Sequence, residues 1–247
     1  MTPQNHDAVV RDLAPMGKIR AAINFGNPVL AQLDPEAGEP RGVSVDLAHE
    51  LALRLEVDLE LVTFDAAGKV FAALKESSWD VAFLAIDPVR AAEISFTAPY
   101  VVIEGTYIVP EGSPLRHVGD FDRADVRIAV GRGAAYDLFL SRTLKQAQLI
   151  RADTSAGAVD LFVEDGLEAA AGVRQPLTAY ATAHPGYRVI EERFTAIEQA
   201  MGTPRGRDAG RDYLARFVEE VKASGFIAEA LWRNGQRDAS VAPPAKC

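Results

Sequence analysis

The sequence predicts an α/β protein of two lobes, each a mostly parallel sheet flanked by helices. An internal repeat is the first reason: a shift of 88 residues aligns LVTFDAAGKVFAALKESSWDVAFLA, at 61–85, with LIRADTSAGAVDLFVEDGLEAAAGV, at 149–173. Each copy has the pattern of a strand, an amphipathic helix and a second strand. Composition is the second reason, because 247 residues that are 48% hydrophobic can fill two cores of about a hundred residues each. Two unrelated crossovers would also give this pattern.

The elements of the first lobe can be assigned in chain order. We predict a strand at 18–24, a helix at 42–55, a strand at 59–64, a helix around 70–74 and a strand at 81–86. Leu47, Leu51 and Leu55 share one face of the first helix because they recur at every fourth position. Alternating strands and helices form a parallel sheet, and ligands bind beyond the carboxyl ends of its strands. The site is therefore expected near 25–28 and 84–90, in a cleft between the lobes.

The chain then crosses into the second lobe. The predicted elements are a strand at 106–109, a strand at 126–130, a helix ending at 144, the second repeat copy, a strand near 189 and a return crossing near 194–201. Two crossings form a two-segment hinge. The predicted domains are an N-terminal extension at 1–17, a discontinuous first lobe at 18–108 and 202–236, a second lobe at 109–201 and a flexible tail at 237–247.

Charge and composition narrow the functional class. A net charge of -9 with no block of like charges argues against a nucleic-acid partner or a membrane surface. No apolar run reaches transmembrane length, and no secretory signal is visible, so the chain is expected to be cytoplasmic if Met1 is the native start. Cys247 is the only cysteine, which excludes an intrachain disulfide. Without a catalytic triad or paired histidines at metal spacing, we predict no catalytic residue, no metal and no cofactor.

Three sequence blocks carry a family resemblance. RAAEISFTAPY, at 90–100, is similar to a pattern of an arginine followed six residues later by Phe-Ser-x-Pro-Tyr. GVSVDLAHELA, at 42–52, looks like a Gly-Phe-x-x-Asp-Leu helix start, and FVEEVKASGFIAEALWRNG, at 217–235, looks like a C-terminal helix pair. In their order along the chain, the three blocks resemble those of extracellular solute-binding proteins of family 3, the amino-acid type of periplasmic binding protein in ABC importers. The resemblance spans about 18–235 and implies the two-lobe type II periplasmic binding protein fold and a periplasmic location.

The resemblance implies that Arg90 binds the carboxylate of the ligand. A guanidinium suits this role because it is planar, always charged and able to donate two parallel hydrogen bonds. Its position just past an apolar strand favours ligand binding over the alternative, a surface ion pair with Glu93. GRGAAYDLFL, at 131–140, opens a helix whose first amides, at 133–135, would hold the same carboxylate.

Two departures from the family pattern bear on the ligand. Alignment of GLEAAAGVRQPL puts Val173 where amino-acid binders carry the aspartate that receives the ammonium group. Arg174 follows, so we expect a ligand that either lacks an α-amino group or is doubly anionic, because an unpaired buried ammonium costs about several kcal/mol. Glu104 or Glu198 remains an alternative carboxylate partner from a different direction.

The second departure is a shorter segment from Asp80 to Arg90. The segment at 80–90 is about two residues shorter than the family's run and lacks its serine and threonine, which predicts a dry pocket. Phe25 would be a stacking wall, or else an ordinary core residue. The predicted ligand-binding residues are Phe25, Asn27, Ala85, Asp87, Arg90, Glu104, Gly133, Ala134, Ala135, Val173 and Arg174.

We therefore expect a monomeric solute-binding receptor that captures a small carboxylate-bearing ligand, an amino acid or a related organic acid, and closes on it. Its expected partner beyond the ligand is an ABC permease, or a sensor if the chain is cytoplasmic. The alternative is an enzyme similar to the cyclohexadienyl dehydratases, in which Glu104 or Glu198 would protonate a leaving hydroxyl. Turnover of prephenate or arogenate would distinguish the two.

Overall fold

The computed structural model of the chain describes residues 3–245 as an alternation of helices and strands. The helices are α1 (Pro3–Leu13), α2 (Val43–Leu55), α3 (Ala67–Ala72), α4 (Pro88–Ala91), α5 (Ala135–Thr143), α6 (Ser155–Glu164), α7 (Arg174–Ala183), α8 (Asp208–Ala223) and α9 (Phe226–Arg233). The strands are β1 (Lys18–Asn24), β2 (Gln32–Leu33), β3 (Pro40–Arg41), β4 (Asp58–Phe64), β5 (Val81–Ala85), β6 (Ile94–Pro110), β7 (Arg127–Gly131), β8 (Gln148–Ala152), β9 (Ala169–Val173), β10 (Tyr187–Val189), β11 (Thr195–Pro204) and β12 (Ser240–Val241). None of the helices within this range is long and apolar enough to cross a membrane.

The chain forms two compact units. Within the described residues, unit 1 comprises 3–65, 69–102 and 198–245, and unit 2 comprises 66–68 and 103–197. Three parallel strands form the centre of each unit, in the order β4-β1-β5 in unit 1 and β8-β7-β9 in unit 2. One antiparallel strand extends each set, β11 beside β5 and β6 beside β9. The predicted α/β class with mostly parallel sheets is confirmed, and so is the strand–helix–strand repeat, whose copies supply equivalent strands.

The core of unit 1 follows the predicted apolar pattern. All five residues of β5 are buried, as expected for a strand covered on both faces. Leu47, Leu51 and Leu55 on α2 are fully buried, which confirms the predicted helix face. Trp79 is also fully buried, and its indole Nε1 donates to the Val70 carbonyl at 2.9 Å. This bond satisfies the polar atom of a large core side chain.

Unit 2 has its own apolar core. It gathers residues from β6, β7 and β9, from the helices α6 and α7 and from the turn before β9, namely Ile108, Ala129, Ala158, Phe162, Leu167, Ala170 and Leu177. Small alanines on β7 and β9 let the helices approach the sheet closely. Each unit therefore has a hydrophobic core of its own.

Strand β6 is much longer than the predicted strand at 106–109. It extends over 17 residues from Ile94, because successive stretches each find a pairing partner. Residues 101–102 pair with β12, residues 105–108 with β9 and residues 108–110 with β10. Sequence pattern alone did not reveal these partners, which lie far away in the chain.

The described residues outside the two predicted lobes include regular secondary structure. The expected N-terminal extension contains α1, which packs on α8 with Val9 and Leu13 fully buried. The expected flexible tail is wrong at Ser240–Val241, which adds a short antiparallel strand to β6. Ala242 continues this pairing by donating its amide to the Tyr100 carbonyl at 3.0 Å. The edge of β6 offers unpaired backbone groups, which explains why the tail binds there. Cys247 lies outside the described residues.

Candidate functional site

The carboxyl edge of the unit 1 sheet brings together the predicted ligand-binding residues of that unit. Strands β1 and β5 are adjacent and parallel, so the segments that follow them leave the sheet at the same edge. Phe25 and Asn27 follow β1, whereas Ala85 ends β5 and leads to Asp87 and Arg90. The sequence prediction of this edge is therefore consistent with the observed topology.

Arg90 is a buried cation at this edge. Only 1% of the residue is exposed, and its Nη1 donates to the Ala85 carbonyl at 3.0 Å. Burial lowers the pKa of Arg90 to about 10, and the nearby charge of Asp87 acts in the opposite direction. The guanidinium remains charged at neutral pH. An anion that reached it would pair with it in a weakly screened environment, where charge–charge attraction is strong.

Asp87 positions the short helix that carries Arg90. It is the N-cap of α4, and its Oδ1 accepts from the Val89 amide at 2.8 Å. Pro88 occupies the first helical position, where its missing N–H costs nothing. An aspartate followed by a proline thus starts a helix directly after β5. The predicted role of Asp87 as a ligand contact competes with this capping role.

Asn27 and Phe25 shape the loop after β1. Asn27 is buried, and its Oδ1 accepts from the Val29 amide at 3.3 Å, while its carbonyl accepts from the Leu30 amide at 3.0 Å. These bonds form a local turn of the kind asparagine favours. Phe25 is half-buried, and its amide donates to the Phe64 carbonyl at 2.8 Å. The partly exposed ring is compatible with a wall for a ligand.

The helix start predicted to bind an anion in unit 2 already holds a carboxylate of the chain. The Gly133 amide donates to Oδ2 of Asp137 at 2.8 Å, and the Ala134 amide donates to the Gly131 carbonyl at 3.0 Å. Asp137 is buried and also accepts from Nε of Arg151 at 3.0 Å. Ala135 begins α5 directly after these residues. The amides at 133 and 134 thus donate to acceptors within the chain, whereas the sequence prediction had them donating to a ligand.

Val173, Arg174 and Glu104 lie together in unit 2. The pairing of Gly105 with Val173 brings Glu104 beside the start of α7. Nε of Arg174 donates to Oε2 of Glu104 at 2.6 Å, and Nη1 of Arg193 donates to Oε1 at 3.1 Å. Arg174 also donates to the carbonyls of Ile190 and Glu191, at 3.0 and 2.8 Å. Val173 is an apolar residue that is 8% exposed.

The charged residues Asp137, Arg151 and Arg193 of these sites were not predicted from the sequence. Asp137 lies in the first turn of α5, and an acidic residue there is a known complement to the helix dipole. The position of this acidic residue could therefore have indicated its role from the sequence. Arg193 lies in an irregular segment before β11, where no periodicity indicates its partner. Its pairing with Glu104 follows only from the fold.

A surface cavity in unit 2 is lined by none of the predicted site residues. Its volume is about 380 Å³, and its walls include Pro114, Leu115, Val126 and Leu167. Val126 and Leu167 precede β7 and β9, so the cavity lies at the amino ends of these parallel strands. Ligands of such sheets bind at the opposite, carboxyl ends. Among the residues that the structure describes, no group of His, Cys, Asp or Glu side chains is suited to a metal ion.

Solved structures with the same fold are numerous. The receptor for L-cysteine of Neisseria gonorrhoeae has a TM-score of 0.80 and 20% identity, covering 92% of this chain and 93% of that one. A mutant of ArgBP from T. maritima has a TM-score of 0.78 and 19% identity, covering 91% and 98%. The ancestral amino acid-binding protein AncCDT-1, a precursor of cyclohexadienyl dehydratase, has a TM-score of 0.75 and 20% identity, covering 91% and 97%. At these identities the likeness shows the fold.

The family is shown by the sequence itself. The family model for bacterial extracellular solute-binding proteins, family 3, matches residues 19–234, which is most of the chain. A comparison with curated proteins found no significant match. The resemblance noted from the three sequence blocks is thus confirmed: the chain belongs to the bacterial extracellular solute-binding proteins of family 3.

Proposed function

We propose that this protein is a receptor for a small carboxylate-bearing ligand, which it binds through Arg90. The single observation that carries the proposal is a charged guanidinium, 1% exposed, at the carboxyl edge of a parallel sheet. Burying a guanidinium is costly, and such a group is usually retained for a purpose. An anchoring role for an anionic ligand is such a purpose, because a carboxylate matches the guanidinium in charge and geometry.

The other predicted residues have supporting roles in this proposal. Ala85 and Phe25 would provide an apolar surface beside Arg90, which strengthens a charge pair by excluding water. Asp87 would fix Arg90 by capping α4. Such a division between one charged anchor and an apolar wall is typical of small-molecule sites.

Import through an ABC permease is the proposed context. The structural relatives include a receptor for L-cysteine and an amino acid ABC transporter substrate-binding protein from Streptococcus pneumoniae bound to L-arginine. Membership of an extracellular family supports the same role. A permease partner and an extracytoplasmic location are accordingly proposed for this chain.

Native mass spectrometry of the freshly purified protein would test the proposal first, because a retained ligand appears as added mass. Isothermal titration with the identified acid would then compare the wild type with Arg90→Gln. We expect at least a hundredfold weaker binding in Arg90→Gln, because the ligand loses a bidentate charged partner. Arg211→Gln is a matched control, since Arg211 is a surface residue whose ion pairs within residues 3–245 are local, with Asp208 and Asp212.

Thermal melting would verify that both variants are folded. Near-native affinity in a folded Arg90→Gln protein would refute the anchoring role. Loss of affinity in Arg211→Gln to the same degree would show that the effect is not specific to Arg90.

A dehydratase is the second candidate, favoured by the likeness to AncCDT-1, which is described as a precursor of cyclohexadienyl dehydratase. The candidate acids are Glu104 and Glu198. Both carboxylate oxygens of Glu104 accept hydrogen bonds from guanidinium groups, which leaves neither ready to deliver a proton to a substrate. Glu198 is exposed on β11, where no dry environment surrounds a proton donor. Turnover of prephenate or arogenate by the purified protein would establish the enzyme instead of the receptor.

A further inference from the structure

We infer that Arg205 is a positioning residue of the ligand site. It holds the short segment that carries Arg90, and so it sets the affinity for an acid that it does not itself contact. The inference rests on the proposed function, because it concerns the segment from which Arg90 acts. All the residues that carry it belong to unit 1.

The segment at 86–93 follows β5 and carries Arg90 on α4, a helix of only four residues. Two backbone bonds close it from within. The Ala91 amide donates to the Asp87 carbonyl at 2.8 Å, and the Glu93 amide donates to the Arg90 carbonyl at 3.0 Å. A helix this short is not stable by itself, because its few bonds do not offset the cost of ordering the backbone. Its position therefore depends on contacts with other elements.

Strand β11 binds the first residue of this segment. It pairs antiparallel with β5, and this register places Gln199 opposite Ala85, the last residue of β5. One residue further along β5, the Ile86 amide donates to the Glu198 carbonyl at 2.9 Å. Because this bond joins two backbones, it fixes the start of the segment to β11 whatever the side chains at 86 and 198 contact.

Arg205 binds the other end of the segment. It directly follows β11, and its guanidinium donates to the Ala91 carbonyl from Nε at 3.0 Å and from Nη2 at 2.6 Å. Its own amide donates to the Glu93 carbonyl at 3.0 Å. The last carbonyls of a helix have no partner within it, and an arginine fork can bring two N–H groups to one such oxygen. Both ends of the Arg90 segment are thus bound to β11 and the residue after it.

The end of β11 that precedes Arg205 is itself held in place. A Cβ added at Gly202 would lie 2.5 Å from Cγ2 of Ile94, so the two backbones approach closely at this point. The Met201 amide donates to Oγ1 of Thr97 at 3.2 Å. Ile94 and Thr97 belong to β6, which begins directly after the segment. Arg205 therefore acts from a fixed position.

Arg205 lies away from the edge where an acid would bind. Gly202 is opposite Ala82, near the start of β5, and Arg205 comes three residues later. This is the side of the amino end of β5, whereas ligands of parallel sheets bind at the carboxyl ends. Its effect on binding would be transmitted through α4. Because Arg90 is only 1% exposed, its side chain has little room to compensate for a shift of that helix.

Hydrogen exchange measured by mass spectrometry would test the support without any ligand. In Arg205→Gln we expect the amides at 86–93 to exchange about tenfold faster than in the wild type, because the segment loses two bonds from a charged donor. Arg188→Gln is a matched control, since the guanidinium of Arg188 also donates to backbone carbonyls, but in unit 2. Exchange at 86–93 should be unchanged in the control. Unchanged exchange in Arg205→Gln would overturn the inference.

Titration calorimetry would then measure the consequence for binding. The probe is the acid retained in native mass spectrometry or, if none is retained, the tightest binder among L-arginine, L-cysteine, L-lysine, L-glutamate and glutarate. We expect Arg205→Gln to bind it about tenfold more weakly than the wild type. Arg205→Lys, whose ammonium can also donate to the Ala91 carbonyl, should recover at least half of this loss on a logarithmic scale. Arg188→Gln should keep the wild-type affinity.

The outcomes separate this inference from the proposed function. Weaker binding in Arg90→Gln, with wild-type affinity in Arg205→Gln, overturns the inference and leaves the receptor function intact. Equal losses in Arg205→Gln and Arg188→Gln also overturn it, because the effect is then a general loss of stability. Absence of a retained acid, together with no binding of the five probes, overturns both. If Arg205→Gln does not fold, Arg205→Met, which keeps an apolar stem, replaces it with the same expected results.

Discussion

Arg20 binds the fully buried carboxylate of Asp80 through two parallel hydrogen bonds, Nε to Oδ2 at 2.8 Å and Nη2 to Oδ1 at 2.9 Å. Arg127 binds Glu168 in unit 2 in the same way, at 2.9 and 2.8 Å. The two pairs also occupy equivalent positions. In each unit the arginine comes directly before the first paired residue of one strand, and the carboxylate comes directly before the first paired residue of the neighbouring strand. The similarity of the two units therefore includes a bidentate ion pair, here called a clamp, which joins β1 to β5 in unit 1 and β7 to β9 in unit 2.

The two clamps should differ in their contribution to stability. Asp80 has no exposed side-chain area and is also bound by Arg207 at 2.9 Å, whereas 32% of the Glu168 side chain is exposed. Removing one partner of a buried ion pair costs about 3–5 kcal/mol, because the remaining charges are left without compensation. An exposed pair contributes about 1 kcal/mol or less. Urea denaturation should show a loss of about 3 kcal/mol for Asp80→Ala and about 1 kcal/mol for Glu168→Ala; equal losses would contradict this argument.

The clamp in unit 2 should also make stability depend on pH. The hydrogen bond from Arg127 lowers the pKa of Glu168 from its usual 4.5. A carboxylate with a lowered folded-state pKa stabilises the protein above the unfolded-state value, and this contribution is lost as the pH falls through the folded value. The difference in unfolding free energy between the wild type and Glu168→Gln should therefore be constant near neutral pH and shrink below about pH 4.5. A difference that stays constant down to about pH 3 would refute the assigned cause.

The sequence was sufficient for those parts of the fold that depend on local periodicity. The apolar face of α2, the buried strand β5 and both repeat copies follow from patterns within about fifteen residues. The length of β6 and the strand at 240–241 did not follow, because each depends on pairing between distant segments. Pairing of this kind is a property of the folded sheet and leaves little trace in local composition.

The candidate site divides in the same way. Position after a strand was enough to predict the edge that carries Arg90 and Asp87. Charge partners were not predictable, because Arg193 lies 89 residues from Glu104 and Arg151 lies 14 residues from Asp137. As a result, Glu104 and the amides at 133–134 were expected to face a ligand, whereas their described hydrogen bonds lie within the chain.

Gly42 should tolerate no side chain. Its backbone has φ 127° and ψ 169°, a region that only glycine adopts readily, and an added Cβ would lie 2.3 Å from the Leu30 carbonyl oxygen. That oxygen is fixed because it accepts from the Ser44 amide at 3.1 Å. We expect Gly42→Ala to lower the free energy of unfolding by about 3 kcal/mol or more. Gly119→Ala is the control, since a Cβ there meets open space; similar losses in both variants would contradict the steric argument.

The pH dependence of ligand binding should report the burial of residue 90. Because the pKa of Arg90 is about 10, the wild-type guanidinium is charged from pH 6 to 9, and its affinity for an acid should be constant over that range. A lysine in the same environment has a lower intrinsic pKa that burial reduces further, since desolvation disfavours the ammonium form. Arg90→Lys should therefore bind the acid more weakly, and its affinity should fall as the pH rises from about 7 to 9.

Titration calorimetry at a series of pH values would measure both profiles, with circular dichroism to verify the fold at each pH. A flat profile in Arg90→Lys would mean that the lysine ammonium stays hydrated, and hence that residue 90 is not at a dry anchoring position. A decline in the wild type over the same range would point to a different titrating group as the anchor. Either result would remove the physical basis for Arg90 as the carboxylate partner, because that role requires a cation that is both buried and permanently charged.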